Sequence, residues 1–551
     1  MESLSDTIWD VVICGTGLQQ SLLALALSRS NKNILHIDPN QYYGGSEAAL
    51  SVAEADAWAA ARPEASAARP TAAIDGAVQL GPLSAYSVAL APQFLHARST
   101  LVELLVSSRA FRQLEFLAVS SFFVLESSSS SSSSSGPANP SLARIPATRE
   151  DVFASTAMPA RAKRQLMKFL KFVLAFDGTD TGDDKGDGDS AWQSHASEPL
   201  GAFLQTSFGL DDRLRDNVLA LTLSLDGAAV TVAHGLARLH RHITSMGLFG
   251  PGFAAVYPKW GGCGEIVQVA CRAAAVGGGI YMLGSGIKSV SVTAPVEGDT
   301  QQDQLLELEL TRDMTVKTKL LVRGSEAIGG PSSEDVPAST SKQSGQHLSR
   351  LIAVIGAPLP FLFAPTVEGA PVAGGAVIAL PAGRPVLADG AASEHPVFVM
   401  AHSSDTGECP VGQSVLLFTT IRTEGSKAVL ESALTTLLVA FAKETSSDAE
   451  GRANDESPSI PVLYSLYYEQ PRGEEARAPD AEPEPEPQPE PETPLGVFRF
   501  PPLPVDLMVQ DAPLEVVREA WRRVMGPEED DAAYMAFVDR EGNDADDMEY
   551  D

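Results

Sequence analysis

Short unbroken apolar runs near the start of the chain give way to apolar residues at helical spacing. Ile8-Trp-Asp-Val-Val-Ile13 reads as a buried strand. Gly15-Thr-Gly17 then turns the chain into a helix whose apolar positions include Leu18, Leu22, Leu23 and Leu25. Asn33-Ile-Leu-His-Ile37 is a second strand ending in Asp38. Strand, tight glycine turn, helix and strand together predict a β–α–β unit that opens a parallel sheet. Residues 47–75 are Ala-rich and read as a helical excursion or an unstructured insert. Residues 94–107 have helical spacing, and 111–124 read as strands. From Arg161 to Phe176, the residues Leu166, Phe169, Leu170, Val173 and Leu174 fall on one helical face. Lys163, Arg164, Lys168 and Lys171 lie mostly on the other, which predicts an amphipathic helix. Helical patterns continue to about residue 245. Strand patterns return at 278–292, 304–323, 351–356, 375–380, 396–402 and 414–421. A short apolar patch, Val497-Phe-Arg-Phe500, precedes a last helix at 513–525. The class is α/β. A large sheet domain (1–145 and 246–470) carries an inserted, smaller, mainly helical domain (146–245). An acidic, Pro-rich linker (471–494), a C-terminal apolar patch and helix (495–526) and an acidic tail (527–551) follow.

With 551 residues, 44% of them hydrophobic, the chain has material for several domains and a large core. Acidic residues outnumber basic ones by 71 to 40, for a net charge of −31. The excess is concentrated: 177–189, 471–494 and 528–551 carry −21 of it. An acidic surface argues against nucleic acid or an anionic membrane as the main partner, since both call for basic patches. The four cysteines are Cys14, Cys263, Cys271 and Cys409. They are too scattered for a zinc site and too few for a disulfide scaffold, and they read as belonging to a cytosolic protein. No export signal, no apolar run of spanning length and no C-terminal Cys for prenylation is expected from the sequence. Membrane contact is therefore expected to be indirect. The serine run 127–135, the acidic loop 177–190, the polar stretches 325–348 and 443–458, and the Glu-Pro alternation at 482–492 read as solvated low-complexity segments.

Candidate chemistry is sparse. Gly15 and Gly17 match the first two positions of the dinucleotide fingerprint, and Asp38 ends the second strand where an acid would hold a ribose. Gln20 occupies the third glycine position, so a flavin or nicotinamide site and a fold that has lost its cofactor both remain open. Gly407-Glu-Cys-Pro-Val-Gly412-Gln-Ser414 has the spacing of a phosphate-binding loop. Gln413 replaces its lysine, and a strand pattern follows where a helix is required. His234, His240 and His242 lack an HExxH arrangement and read as helix-surface residues, with no metal site expected. No catalytic constellation emerges.

Two stretches carry a resemblance. Ile13-Cys-Gly-Thr-Gly-Leu18 with Leu35-His-Ile-Asp-Pro-Asn-Gln-Tyr-Tyr-Gly-Gly45 resembles the first conserved region of the Rab GDP-dissociation inhibitor and Rab escort protein superfamily. Tyr257-Pro-Lys-Trp-Gly-Gly-Cys-Gly-Glu-Ile-Val-Gln268, Arg272 and Gly277-Gly-Gly-Ile-Tyr-Met-Leu283 resemble its third. The likeness covers most of residues 8–320 and, more loosely, 350–420. It implies a flavoprotein-like (FAD/NAD(P)-binding-like) sheet domain without a functional cofactor, with Gly15, Gly17 and Asp38 as vestiges. It also implies a non-catalytic binder of GDP-bound Rab GTPases, whose Rab-binding residues here are Tyr43, Glu265, Arg272 and Met282. Val267 stands where the family usually has Pro, and Ile280 where the inhibitors often have Thr.

Ile145-Pro-Ala-Thr148, Asp151-Val-Phe153 and Lys163-Arg164 resemble the entry to the family's helical domain. Phe153 with Arg164 resembles the pair by which escort proteins dock the geranylgeranyltransferase α subunit; the plain alternative for Phe153 is a hydrophobic staple ahead of the helix. The resemblance leans to the escort branch, of fungal type. Such a protein is an accessory subunit that presents new Rab·GDP to the Rab geranylgeranyltransferase α/β heterodimer. It then covers the attached geranylgeranyl lipid and meets membranes only during Rab delivery. A Rab GDP-dissociation inhibitor that recycles prenylated Rab is the runner-up, and a flavin-dependent oxidoreductase the remote alternative.

Overall fold

The first strand, β1 (Ile8–Cys14), is buried from Val11 to Cys14 because it has a parallel neighbour on each side. A strand covered on both faces needs a continuous apolar run, not an alternating one. Helix α1 (Leu18–Leu27) buries nine of its ten residues, and β2 (Ile34–Asp38) is buried throughout. The computed structural model describes residues 4–69, 78–127, 140–146, 152–153, 158–176, 192–293, 305–324, 346–365, 367–383, 392–447, 460–473 and 496–538. Nearly all of the serine run, the acidic loop 177–190 and the Glu-Pro alternation lie outside the described residues.

Seven strands form the first sheet. In order they are Ile280–Leu283, β2, β1, Met314–Arg323, Leu306–Leu310 and Ile287–Val292, with Val497–Arg499 pairing in parallel to the end of Met314–Arg323. One face is covered by α1, the helix Cys263–Val276 and the helix Ala512–Met525, which share one core. A ten-stranded, mostly antiparallel second sheet runs from Ser66–Ala68 through Val462–Pro471, His347–Ile355, Ser414–Ile421, Val397–Ser403 and Gly375–Leu380. It continues to Phe116–Ser127, Ala255–Pro258 and Leu95–His96, with Pro140–Arg144 paired to Phe116–Ser127 as the tenth strand. Helix Ser426–Ser447 covers one side of it.

The helices Ala160–Leu174, Leu200–Phe208, Asp212–Thr222 and Val232–Ser245 make a separate layer with its own core of Leu166, Phe169, Val173, Leu204 and Leu236. This layer is fastened to the sheets by polar contacts. Buried Asp506 accepts a bidentate pair of hydrogen bonds from Arg472, both at 2.8 Å, and lies 3.7 Å from the Arg238 guanidinium. His242, expected on the helix surface, is buried instead, because its ring meets His96 across the same seam, ring nitrogens 3.4 Å apart.

Several elements depart from the sequence reading, among them Leu95–His96, a strand ahead of the helix expected at 94–107, and Ala110–Gln113, a 3-10 turn at the start of the strands expected at 111–124. Val462–Pro471 is a full strand in the second sheet, paired along its length with His347–Ile355, although its mixed pattern gave no strand signal. The loop expected at 443–458 begins later, because helix Ser426–Ser447 continues into it. The patch Val497–Phe500 is no appendage: its first three residues are a strand of the first sheet, and Phe500 is in the core. The acidic tail also starts later than 527. Tyr534 is buried against Trp521, Met535 is buried in the same core, and the Phe537 amide donates to the Ser107 carbonyl at 3.1 Å. The Ala-rich stretch from 47 resolves into the helix Val52–Ala60, with a capping box at Ser51 and Glu54, and the edge strand Ser66–Ala68.

Candidate functional site

The glycine turn after β1 is the natural place to look for a cofactor. Thr16 donates to one oxygen of Asp38 through both its amide and its hydroxyl, each at 2.6 Å. Asn40 donates twice to the other oxygen, at 2.7 and 3.0 Å. The acid that would hold a ribose is thus fully engaged by its own chain. Glu47 reaches the start of α1, where its Oε2 accepts from the Leu18 amide at 2.9 Å. The Gln20 carboxamide lies over both glycines, 3.3 Å from where a side chain on Gly15 would begin and 3.0 Å from that point on Gly17.

Helix N-termini bind phosphate through free amides and the positive end of the helix dipole. Here a carboxylate and a carboxamide take that position. A cleft of about 510 Å³ remains beside the turn, lined by Tyr42, Trp58, Arg62 and Tyr468 among others. The residues at its mouth do not fit a dinucleotide pyrophosphate, so no step through flavin or nicotinamide is derived. Among the described residues, no cluster of three or more His, Cys, Asp or Glu side chains could hold a metal.

The loop that carries Glu47 also carries Tyr43, and it packs against the helix Cys263–Val276. Two glycines allow that approach. A side chain on Gly261, at φ +128°, would begin 2.2 Å from the Ala49 Cβ, and one on Gly264 would begin 2.9 Å from the Glu47 carbonyl. This is the physical reason for the spacing in Trp260-Gly-Gly-Cys-Gly264. Trp260 itself has φ +65° and is 42% exposed. Such a backbone is costly for a bulky residue and tends to occur at functional surfaces.

The structure brings three of the four expected Rab-binding residues to one side of the first sheet. Tyr43 meets Tyr281 edge-on, ring centroids 6.1 Å apart, and both pack on the core that includes Cys271. Glu265 lies in the first turn of the helix Cys263–Val276. Arg272 is exposed on the third turn. Partial burial raises the Glu265 pKa, and the Arg272 charge offsets part of that rise. Met282 is different. It neighbours Tyr281 on the edge strand and faces the opposite side, against the cluster of Val12, Leu35 and Ile37. Tyr281 was not singled out in the sequence; its signal was its place one residue from Met282 in Gly277–Leu283, on the face that points to the helix. Val267 is fully buried and Ile280 is 40% exposed.

Phe153 and Arg164 belong to the helical layer, away from that sheet. Phe153 is 54% exposed, whereas its neighbour Val152 is 3% exposed and packs in the helical core. Lys163 donates to the Phe153 carbonyl at 2.7 Å, and Arg164 is exposed with its Nε directed at the Ala160 carbonyl, 3.4 Å away.

The pattern described as "GDP dissociation inhibitor" matches residues 5–310, more than half of the chain. The chain belongs to the GDP dissociation inhibitor family. Among its relatives, the Saccharomyces cerevisiae protein named Rab proteins geranylgeranyltransferase component A is 30% identical over 454 residues, covering 81% of this chain and 67% of that one. A guanosine nucleotide diphosphate dissociation inhibitor of Arabidopsis thaliana is 28% identical over 309 residues, 53% of this chain and 61% of that one. The chain spans about two thirds of the length of the curated relatives it matches. Among solved structures, Rab GDI from Plasmodium falciparum superposes with a TM-score of 0.55 at 17% identity, over 95% of this chain and 99% of that one. An oxidoreductase from Methanosarcina mazei superposes with a TM-score of 0.54 at 14% identity, over 93% and 99%. The fold of this chain is thus shared with an oxidoreductase as well as with a Rab GDI, and the expected flavoprotein-like α/β class is correct.

Proposed function

We propose that this chain is a Rab escort protein: an accessory subunit that binds Rab·GDP on the first sheet and presents it to the Rab geranylgeranyltransferase heterodimer through the helical layer. The observation that carries the escort reading is Phe153, 54% exposed ahead of the helix Ala160–Leu174 whose polar side carries Lys163, Arg164 and Lys168, while its neighbour Val152 is buried in the helical core. An exposed aromatic and an exposed guanidinium near the entry of one helix are the residue types of a small interface hot spot. The length of the match to the yeast component A, against a shorter match to the inhibitor, supports the same branch. The Rab contacts are Tyr43, Tyr281, Glu265 and Arg272, with Met282 contributing from the strand edge.

The lipid shows why an escort is needed. At about 0.8 kcal/mol per buried CH₂, a chain of about twenty carbons gains on the order of 10 kcal/mol from cover. In vitro prenylation of unmodified Rab by the heterodimer, with and without this chain, tests the reading. Geranylgeranyl transfer that depends on the chain is the expected result. Binding of prenylated Rab with no affinity for the heterodimer would favour the second reading, a dissociation inhibitor, which the shared family pattern over residues 5–310 also supports.

A further inference from the structure

The start of α1 is unusual in what completes it. Its N-cap is Gly17, which has no side chain to offer, and its first turn contains no acid. The charge comes from 29 residues away, in Glu47, which is only 2% exposed. A buried acid at this position is held from several sides. Its Oε1 accepts from the Ser46 hydroxyl, and its amide donates to the Gly44 carbonyl at 2.8 Å. The Ser46 carbonyl accepts from Gln470 at 3.1 Å, and Gln470 in turn accepts from the buried Arg350 at 2.7 Å. The Glu47 carbonyl lies against Gly264, at the start of the helix that bears Glu265 and Arg272.

In a fold that also serves oxidoreductases, this seat at the glycine turn is where phosphate oxygens would meet the helix. We propose that Glu47 is a built-in anion that replaces those phosphates and, through its loop, is a positioning residue for the Tyr43 platform. The loop Tyr42–Ala48 is then ordered by a covalently attached carboxylate in place of a diffusible ligand. This second half rests on the proposed Rab-binding reading; the first half does not. A helix N-terminus stripped of its counter-charge regains affinity for small anions, so removal of Glu47 uncovers a site the native chain has closed.

The test uses the full-length chain with Glu47→Ala, alone and with Gln20→Gly, and inorganic pyrophosphate as probe. Both variants are expected to melt several degrees below the native chain in chloride buffer. Millimolar pyrophosphate should recover much of that loss, while chloride at matched ionic strength should not, and the native chain should not respond. Affinity for Rab·GDP should fall roughly tenfold in Glu47→Ala, the effect of one charge-assisted contact, and rise again with pyrophosphate. Equal responses of native and variant chains, or a loss of stability blind to pyrophosphate, would overturn the built-in anion. Recovery of melting temperature with Rab affinity native throughout would overturn the positioning role. Should Glu47→Ala not fold, Glu47→Gln, which keeps an acceptor without the charge, is expected to melt below the native chain; an unchanged melting temperature overturns the proposal. A native chain that does not bind Rab·GDP would remove the functional reading and leave the pyrophosphate arm intact.

Discussion

Arg272 and Glu265 sit seven residues apart on one helix, and their charges feel each other without a direct hydrogen bond between them. An exposed guanidinium with its counter-charge two turns away is available to a partner's carboxylate. Arg272→Ala is expected to weaken Rab·GDP binding by about 2 kcal/mol, the usual cost of truncating a central charged contact. Glu265→Ala should do likewise, with the far-ultraviolet circular dichroism of both variants native. Titration of labelled Rab·GDP measures it, and native affinity in both would remove them from the interface. At this scale Tyr43, Glu265 and Arg272 were offered by the resemblance of their motifs, and the fold places all three on one side of the sheet. Tyr281 and Glu47 were not legible. Their roles depend on which face of an edge strand points inward, and on a loop folding back over a helix start 29 residues earlier.

The helix Ala160–Leu174 and the C-terminal segment each separate two readings at the scale of the element. Were Phe153 the staple of that helix, it would be buried; Val152 is buried instead. Phe153→Ala should therefore keep its melting temperature and lose the transferase heterodimer, while Rab·GDP binding is retained. A fall in melting temperature with native transferase binding would return Phe153 to a structural role.

The C-terminal segment makes the opposite kind of claim. Arg522 binds Asp531, the Arg518 and Arg29 guanidiniums stack on Tyr534 and Phe537, and Met535 is fully buried. Truncation after Gly526 removes the burial of Tyr534 and Met535, and is expected to cost on the order of 4 kcal/mol. Truncation after Val538 keeps every contact described. Denaturant melts of the two truncations check this; equal stability would mean the strap adds nothing.

The whole molecule is joined at a seam between the helical layer and the sheets, and that seam is sensitive to acid. Burial pulls the His242 pKa down to about 4, and His96 opposite it is lowered well below the usual value by burial and by the nearby His242, Arg241 and Arg238. Burial pulls His36, under the glycine turn, down to about 4 as well. Each is neutral in the fold, whereas in the unfolded chain it takes up a proton below about pH 6.5. Stability is therefore complete above pH 6.5 and falls as pH drops towards 4. By pH 5 the loss is on the order of 2 kcal/mol for each such histidine. Urea melts at pH 7 and pH 5 should show this drop, and His242→Leu should show a smaller one. The same drop in both proteins would place the acid sensitivity elsewhere.

Local pattern alone determined the opening β–α–β unit, the amphipathic helix Ala160–Leu174 and most strands of both sheets, because each buries a face whose period is written in consecutive residues. The family was legible from resemblance, through Tyr42-Tyr-Gly-Gly45 and Tyr257–Glu265, and close packing explains why such short stretches are constrained. Only the tertiary structure decided where the ends of the chain belong. Val497–Arg499 is too short to signal a strand and becomes one only against Met314–Arg323. Val462–Pro471 mixes polar and apolar residues, and some of its polar groups find partners only in the folded chain, such as Gln470 with Arg350 and the Tyr468 hydroxyl with the Leu90 carbonyl. The tail from 527 is rich in acids, yet Tyr534 within it packs on Trp521 and Arg518 of the last helix, and Phe537 reaches Arg29 and Ser107, more than 400 residues away. The fate of the cofactor seat was decided in the same way. Gln20 hinted that the glycine turn was altered, but the side chain that fills the seat, Glu47, reaches it only once the loop has folded back onto α1, and no local period records that contact.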